Sequence, residues 1–164
     1  MGTPYTVPIE LFFKKVEKDV RFFNYFGLDD YRAMRLAEER AKTYLSEAVG
    51  RLMLECSPSV DFTDVDGEAE TFNFDLTTSE KLLLSSLMYE YYLERDIAYL
   101  RLQNVNYVST ELRVFDPSNA RNSFMEMYES VCNRNKELLE EYRNRDRLTG
   151  AFIGVDYTVL NADS

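Results

Sequence analysis

The chain has 164 residues, 45% hydrophobic and 14% aromatic, which excludes a wholly disordered protein and suits one domain built around one sizeable core. Its formal net charge of −10 argues against tight nucleic-acid binding by the domain as a whole. No apolar run approaches the length of a membrane span, so no membrane association is expected.

The N-terminal third is expected to contain an irregular arm and two antiparallel helices. Residues 1–7 form the arm, and Pro8 suits the first turn of a helix. Apolar residues then recur at helical spacing until Gly27, which is expected to end this helix. Asp29 can cap the second helix, and the short connection makes the two helices neighbours. The narrow apolar stripe of the second helix is Met34, Ala37, Ala41, Leu45, Ala48 and Leu52.

An acidic insert, residues 57–76, follows. Apolar residues occur at every second position on both sides of Asp66-Gly67, and this dipeptide is a strong turn signal. The pattern predicts a β-hairpin or an extended flap. Eight acidic residues and no Lys or Arg occur from Leu52 to Glu80, and we expect this charge to be uncompensated and exposed. The simplest interpretation is a solvated loop; in a ring of subunits the same loop would face a channel or a rim. The residues concerned are Asp61, Asp64, Asp66, Glu68 and Glu70.

The stretch from Thr77 to about Leu102 predicts a long central helix. It opens with a capping box, in which the side chains of Thr77 and Glu80 each bond the other residue's backbone N–H. Apolar residues cover most of its circumference, so other elements or neighbouring subunits must wrap it. Tyrosines of this helix and arginines near the end of the next one are therefore candidates for subunit contacts. These candidates are Tyr89, Tyr92, Tyr99, Arg143, Arg145 and Arg147.

A last helix, starting near Pro117, is predicted to reach Leu148 before Gly150 breaks it. The predicted fold is therefore mainly α. It is a bundle of about four helices over residues 1–148 with the hairpin insert, followed by a strand-like C-terminal tail over 149–164.

The C-terminal tail alternates apolar and polar residues and has no obvious partner strand in the chain. It would pair with the chain's own hairpin, add as a strand to another subunit or protein, or stay disordered. Its candidate docking residues are Phe152, Ile153, Val155, Tyr157 and Val159.

Catalysis is not expected. The chain contains no histidine, which removes the commonest general base and the usual metal-site motifs, and its six glycines are isolated, so no phosphate loop exists. Cys56 and Cys132 lack ligand spacing and read as reduced, buried residues. Acidic pairs such as Glu38 and Glu39 lie where a helix shows its charged face. The sequence therefore predicts no catalytic residue, no metal and no cofactor.

Three stretches share the pattern of one known family. Residues 15–53 contain two N-terminal helical patterns, and residues 72–102 contain LTTSEKLLLSSLM running into a Tyr/Leu/Arg-rich end. Residues 115–143 begin with FDPSN before the last helix. Together, over roughly residues 14–143, they resemble the head–tail connector (adaptor) proteins of tailed bacteriophages.

The resemblance implies a structural protein, made in the host cytoplasm and placed in the virion neck. It implies a ring of about twelve copies under the portal protein. The ring would extend the DNA exit channel, dock stopper or tail proteins, and let DNA pass without tight binding. Two alternatives stay open: a cytoplasmic helical adaptor or chaperone-like protein-binding module, and an enzyme that uses carboxylates and a divalent metal.

Overall fold

A long helix runs through the middle of the fold. The computed structural model describes residues 2–17, 27–106 and 117–154, apart from the side chains of residues 99–106 and 117–121. Within them, β1 and β2 pair antiparallel, and the predicted mainly α fold with a hairpin insert is confirmed. In chain order the elements are α1 (Thr6–Val16), α2 (Asp30–Cys56), β1 (Val65–Asp66), β2 (Thr71–Phe72), α3 (Thr78–Asn106) and α4 (Pro117–Arg143).

Helix α3 is central because it contacts each of the other three described helices. Leu84, Leu87 and Met88 are completely buried on it, whereas Leu82 is 54% exposed. Burying a side chain of this size contributes about 1.5–3 kcal/mol, so the apolar circumference of α3 supplies a large part of the core energy. Helices of the same chain therefore cover the apolar residues of α3 that are buried.

The capping signals predicted for α2 and α3 are confirmed by hydrogen bonds. The Asp29 carboxylate accepts from the backbone N–H of Arg32 at 2.9 Å. The backbone N–H of Thr77 donates to Glu80 Oε2 at 2.7 Å, and the N–H of Glu80 donates to Thr77 Oγ1 at 3.3 Å. Each bond satisfies a first-turn donor that has no partner within the helix.

The narrow stripe of α2 faces the core. Ala37, Ala41 and Ala48 are fully buried, so small side chains let the α2 backbone approach its neighbours closely. Met34, predicted on the same stripe, is exposed, and Ala33 is buried instead.

One ring from each of α1, α2 and α3 meets in an aromatic cluster. Phe12, Tyr44 and Tyr92 lie edge to face, with ring centroids 5.8 to 6.4 Å apart. Aromatic pairs prefer this geometry because the positive edge of one ring meets the negative face of the next. The cluster joins the first half of the chain to the central helix.

Residues 2–5, predicted to be irregular, pair with β2 as a third strand-like segment. The N–H of Phe72 donates to the Thr3 carbonyl at 2.9 Å, and the N–H of Thr3 donates to the Phe74 carbonyl at 3.1 Å. A Cβ at Gly2 would lie 1.7 Å from the Phe72 carbonyl oxygen, so this close approach requires glycine. The sequence did not reveal this pairing, which arises because β2 has an edge of backbone groups that residues 2–5 satisfy.

The hairpin turn is wider than Asp66-Gly67 suggested. Residues 67–70 connect the two strands, and the left-handed residue is Glu70, with φ 52°, rather than Gly67. The Asp66 side chain accepts from two backbone N–H groups of the turn at 2.9 and 3.0 Å, and these bonds hold the longer loop.

The last helix ends earlier than predicted, at Arg143 rather than Leu148. Residues 144–154, called the C-terminal arm below, turn back so that Phe152 pairs antiparallel with Arg145. The predicted boundary between helical domain and tail after residue 148 thus falls inside a turn.

Candidate functional site

The C-terminal arm is closed by backbone hydrogen bonds. The N–H of Asp146 donates to the Ala151 carbonyl at 2.7 Å, and the N–H of Ile153 donates to the Asn144 carbonyl at 2.8 Å. Gly150 has φ 69°, a conformation that favours glycine. The arm is therefore a small hairpin-like unit that starts directly after α4.

The Asp146 carboxylate organises the turn of the arm. Its Oδ1 accepts from the N–H of Leu148 at 3.1 Å, and from the N–H and hydroxyl of Thr149 at 2.8 and 2.7 Å. The bonds from the backbone and the side chain of Thr149 lower the pKa of Asp146 below its ordinary value of 3.8. An aspartate that bonds nearby backbone in this way competes with helix continuation, which accounts for the early end of α4.

We expect the turn to loosen on acidification. Because the folded-state pKa of Asp146 is depressed, its stabilisation is present above 3.8 and is lost as the pH falls through the folded-state value. The Thr149 amide signal in an NMR titration should shift below pH 3.8, and the shift should disappear in Asp146→Ala. An unresponsive Thr149 amide, or an equal response in the variant, would contradict the assignment.

The arm exposes large apolar side chains. Leu148 is 80% exposed, Phe152 69% and Ile153 61%. Phe152 lies opposite Arg145, and the backbone hydrogen bonds are made by the residues on either side of this pair. The N–H and C=O of Phe152 therefore point away from residues 144–146. The Arg145 guanidinium lies 4.1 Å from the centroid of the Phe152 ring and pairs with Glu141 at 2.7 Å. The arm thus presents apolar groups together with an open strand edge.

The predicted docking residues divide into two groups. Phe152 and Ile153 lie on the C-terminal arm, where residues 151–153 pair with residues 144–146 rather than with the hairpin insert. The other docking candidates, which are Val155, Tyr157 and Val159, lie outside the described residues.

A groove of about 440 Å³ lies between the arm and the start of α3. Leu82, Leu83 and Leu138 supply its apolar lining, with Arg145 and Arg147 on the arm side. A groove of this size and lining is of the kind that accommodates side chains of a partner.

Glu80 is completely buried beside this groove. Besides the Thr77 N–H, its carboxylate accepts from the Tyr142 hydroxyl at 2.8 Å and from Arg147 Nε and Nη2 at 2.7 and 3.1 Å. Burial first, and then the bond to Glu80, raise the pKa of Tyr142, so the tyrosine keeps its proton and remains a donor. A buried carboxylate is thus fully matched by donors, which offsets its desolvation.

Two of the predicted subunit-contact residues have their partners within the chain. Tyr92 is buried in the aromatic cluster, and Arg147 is 14% exposed at its side chain because it holds Glu80. Tyr89 is half-buried and stacks on Tyr92, with ring centroids 6.2 Å apart. The sequence did not reveal these contacts within the chain, because it does not distinguish them from contacts between subunits.

The remaining subunit-contact candidates divide by exposure. Arg143 is exposed and Arg145 is partly exposed beside the groove, whereas the Tyr99 side chain lies outside the described residues. Arg143 is therefore the predicted arginine most accessible to another molecule.

The five acidic residues proposed for a channel or rim are all exposed. The hairpin that carries them is anchored to the bundle, because its residues Phe62 and Phe72 are buried, with ring centroids 6.3 Å apart. Burial of two phenylalanines fixes the hairpin against the bundle while its carboxylates face water.

The charge of the stretch is partly compensated, contrary to expectation. Glu55 pairs with Arg51 at 2.7 Å, Glu70 pairs with Lys42, and Glu80 pairs with Arg147. The basic partners lie on α2 and on the C-terminal arm, so they could not be identified from the sequence of the acidic stretch alone.

Sequence reasoning missed a second buried polar cluster. Asn135, completely buried on α4, donates through Nδ2 to Glu90 at 2.7 Å and to the Ser86 carbonyl at 3.1 Å. The Ser86 hydroxyl donates to Asn135 Oδ1 at 2.7 Å, and Arg51 pairs with Glu90 at 2.8 Å. The cluster ties α2, α3 and α4 together. Its only signal in the sequence is an acid in an otherwise apolar stretch of the central helix.

Burial keeps both cysteine thiols protonated. Burial is the largest cause that raises the pKa of both the Cys56 and Cys132 thiols, and the Cys56 thiol donates to the Leu139 carbonyl at 3.4 Å. Among the described residues no group of three His, Cys, Asp or Glu side chains is placed to hold a metal ion. Within the same residues, no helix combines the length and apolar character needed to cross a membrane.

The fold and the site define a helical-bundle protein with an anchored acidic hairpin and an exposed C-terminal arm. Comparison with models of protein families, with curated proteins and with solved structures finds no match to the chain.

Proposed function

We propose that this chain is a structural virion protein, a head–tail connector that forms a ring of about twelve copies between the portal and the stopper or tail proteins of a tailed bacteriophage. In this role it is made in the host cytoplasm, resides in the virion neck and extends the channel through which DNA leaves. The stretches that resemble the connector family contribute to α2, α3 and α4, the helices that build the bundle.

The observation that carries the proposal is the C-terminal arm. Phe152 and Ile153 are large and exposed, and the backbone groups of Phe152 point outward from a short antiparallel pair. An exposed strand edge with apolar side chains is suited to adding a strand from a portal or a neighbouring subunit. Main-chain bonds would then supply affinity, and the two apolar side chains would supply specificity.

The acidic hairpin supports the same role. The exposed carboxylates Asp61, Asp64 and Asp66 repel phosphate, so a surface of this kind faces passing DNA without gripping it. Because buried Phe62 and Phe72 anchor the hairpin, that surface keeps its position in a ring.

The test uses the portal protein of the same virus. Full-length chain mixed with portal should form ring-bearing complexes visible by electron microscopy, and deletion of residues 150–164 should abolish attachment while the helical circular-dichroism signal remains. Phe152→Ser should weaken attachment, whereas Leu54→Ser, at an 86% exposed position on α2, should not.

Two outcomes would count against the proposal. A full-length chain that stays monomeric with portal, by light scattering, would favour the adaptor or chaperone-like module. Unchanged attachment of the truncated chain would exclude the arm as the anchor.

A further inference from the structure

We propose that buried Glu80 is the positioning residue of the C-terminal arm, acting through Arg147 to fix the direction in which the arm leaves the bundle. The inference rests on the proposed docking role of the arm and names the group that prepares it for docking.

Arg147 carries the polar attachment of the arm. Besides its two bonds to Glu80, its Nη2 donates to the Asp75 carbonyl at 2.6 Å, and its guanidinium lies 5.3 Å from the centroid of the Phe74 ring. Among the described residues, the side-chain polar contacts that join the arm to the hairpin and to α3 are all made by Arg147. The contacts of Arg145, with Glu141 and within the arm, stay local.

The position of Arg147 makes this attachment effective. Arg147 sits inside the turn that is closed by the bonds of Asp146 to Ala151 and of Ile153 to Asn144. Because backbone bonds close the turn, fixing Arg147 fixes the rest of the turn as well. The two bonds from the Arg147 guanidinium to Glu80 therefore set the direction in which Phe152 and Ile153 point. A bidentate, charge-assisted pair defines an orientation as well as a distance.

Glu80 caps α3 and also accepts from Tyr142 and Arg147, and a single substitution separates the cap from the charged pair with Arg147. In a capping box glutamine serves as well as glutamate, so Glu80→Gln keeps an acceptor for the Thr77 N–H and the start of α3. The amide, however, has one acceptor oxygen and no charge, so it loses the fork with Arg147. Glu90→Gln is the matched control, because Glu90 is also buried and paired with an arginine, Arg51, but does not contact the arm.

The experiment is amide hydrogen exchange on the isolated full-length protein. In Glu80→Gln the amides of Asp146 and Ile153 should exchange at least about tenfold faster, because a bond to a charged group contributes more than a neutral one. Amides in the middle of α3, such as that of Leu87, should change less than those of the arm. In Glu90→Gln the arm amides should keep their rates.

Unchanged arm amides in Glu80→Gln, or equal acceleration in Glu90→Gln, would overturn the proposal. If Glu80→Gln does not fold, Arg147→Lys is measured with the same criteria, since it leaves the capping box intact and removes the planar fork. The measurement involves no partner, so its failure concerns the positioning role alone, and failure of the proposed function appears only in the portal attachment assay.

Discussion

Replacing Leu87 by alanine is expected to lower the free energy of unfolding by about 2–5 kcal/mol, the range measured for large-to-small changes in cores. Leu87 is completely buried on α3, the helix that contacts the other three described helices. The variant loses the transfer energy of the side chain and leaves a cavity, because packed helices collapse only partly around it. Urea unfolding followed by circular dichroism measures the change.

Leu82→Ala is the control on the same helix. Leu82 is largely exposed, so its truncation should change the free energy of unfolding by no more than about 0.5 kcal/mol. The same chain buries Leu87 completely, so the loss in Leu87→Ala should not depend on protein concentration. A loss that appears only at concentrations where the chain assembles would show that neighbouring subunits provide this part of the core.

Arg51→Met should cost about 3–5 kcal/mol, the penalty for leaving one charge of a buried pair alone. Glu90, whose side chain is 9% exposed, would keep the Asn135 bond but lose the cation that balances it. Much of the loss should return in the double variant with Glu90→Gln, because the amide removes the unpaired charge. Unfolding curves of the two single variants and the double variant give the coupling energy.

The matched control is Arg35→Met on the same helix. Arg35 pairs with Glu39 at 3.9 Å, and both side chains are more than half exposed, so this pair is expected to contribute little. An equal loss of unfolding free energy in Arg35→Met and Arg51→Met would contradict the prediction. It would mean that burial does not make the pair of Arg51 and Glu90 more important than an exposed pair.

The sequence by itself determined where α2 and α3 begin and that a hairpin separates them, but not where α1 and the last helix end. The Thr77–Glu80 capping box, the Asp29 cap and the alanine stripe of α2 were all correctly predicted, because each depends on residues a few positions apart. Local hydrogen bonding and periodicity act within one element, so a single chain segment contains all the information needed.

Tertiary structure alone decided which distant partner the buried polar groups received. Arg147 reaches Glu80 across 67 positions, and Asn135 reaches Glu90 across 45. The arm of residues 2–5 likewise joins β2, far from it in sequence, because that edge has free backbone groups. A buried charge takes whichever donor the packed helices bring within about 3 Å, and that choice depends on how the helices cross rather than on any local pattern.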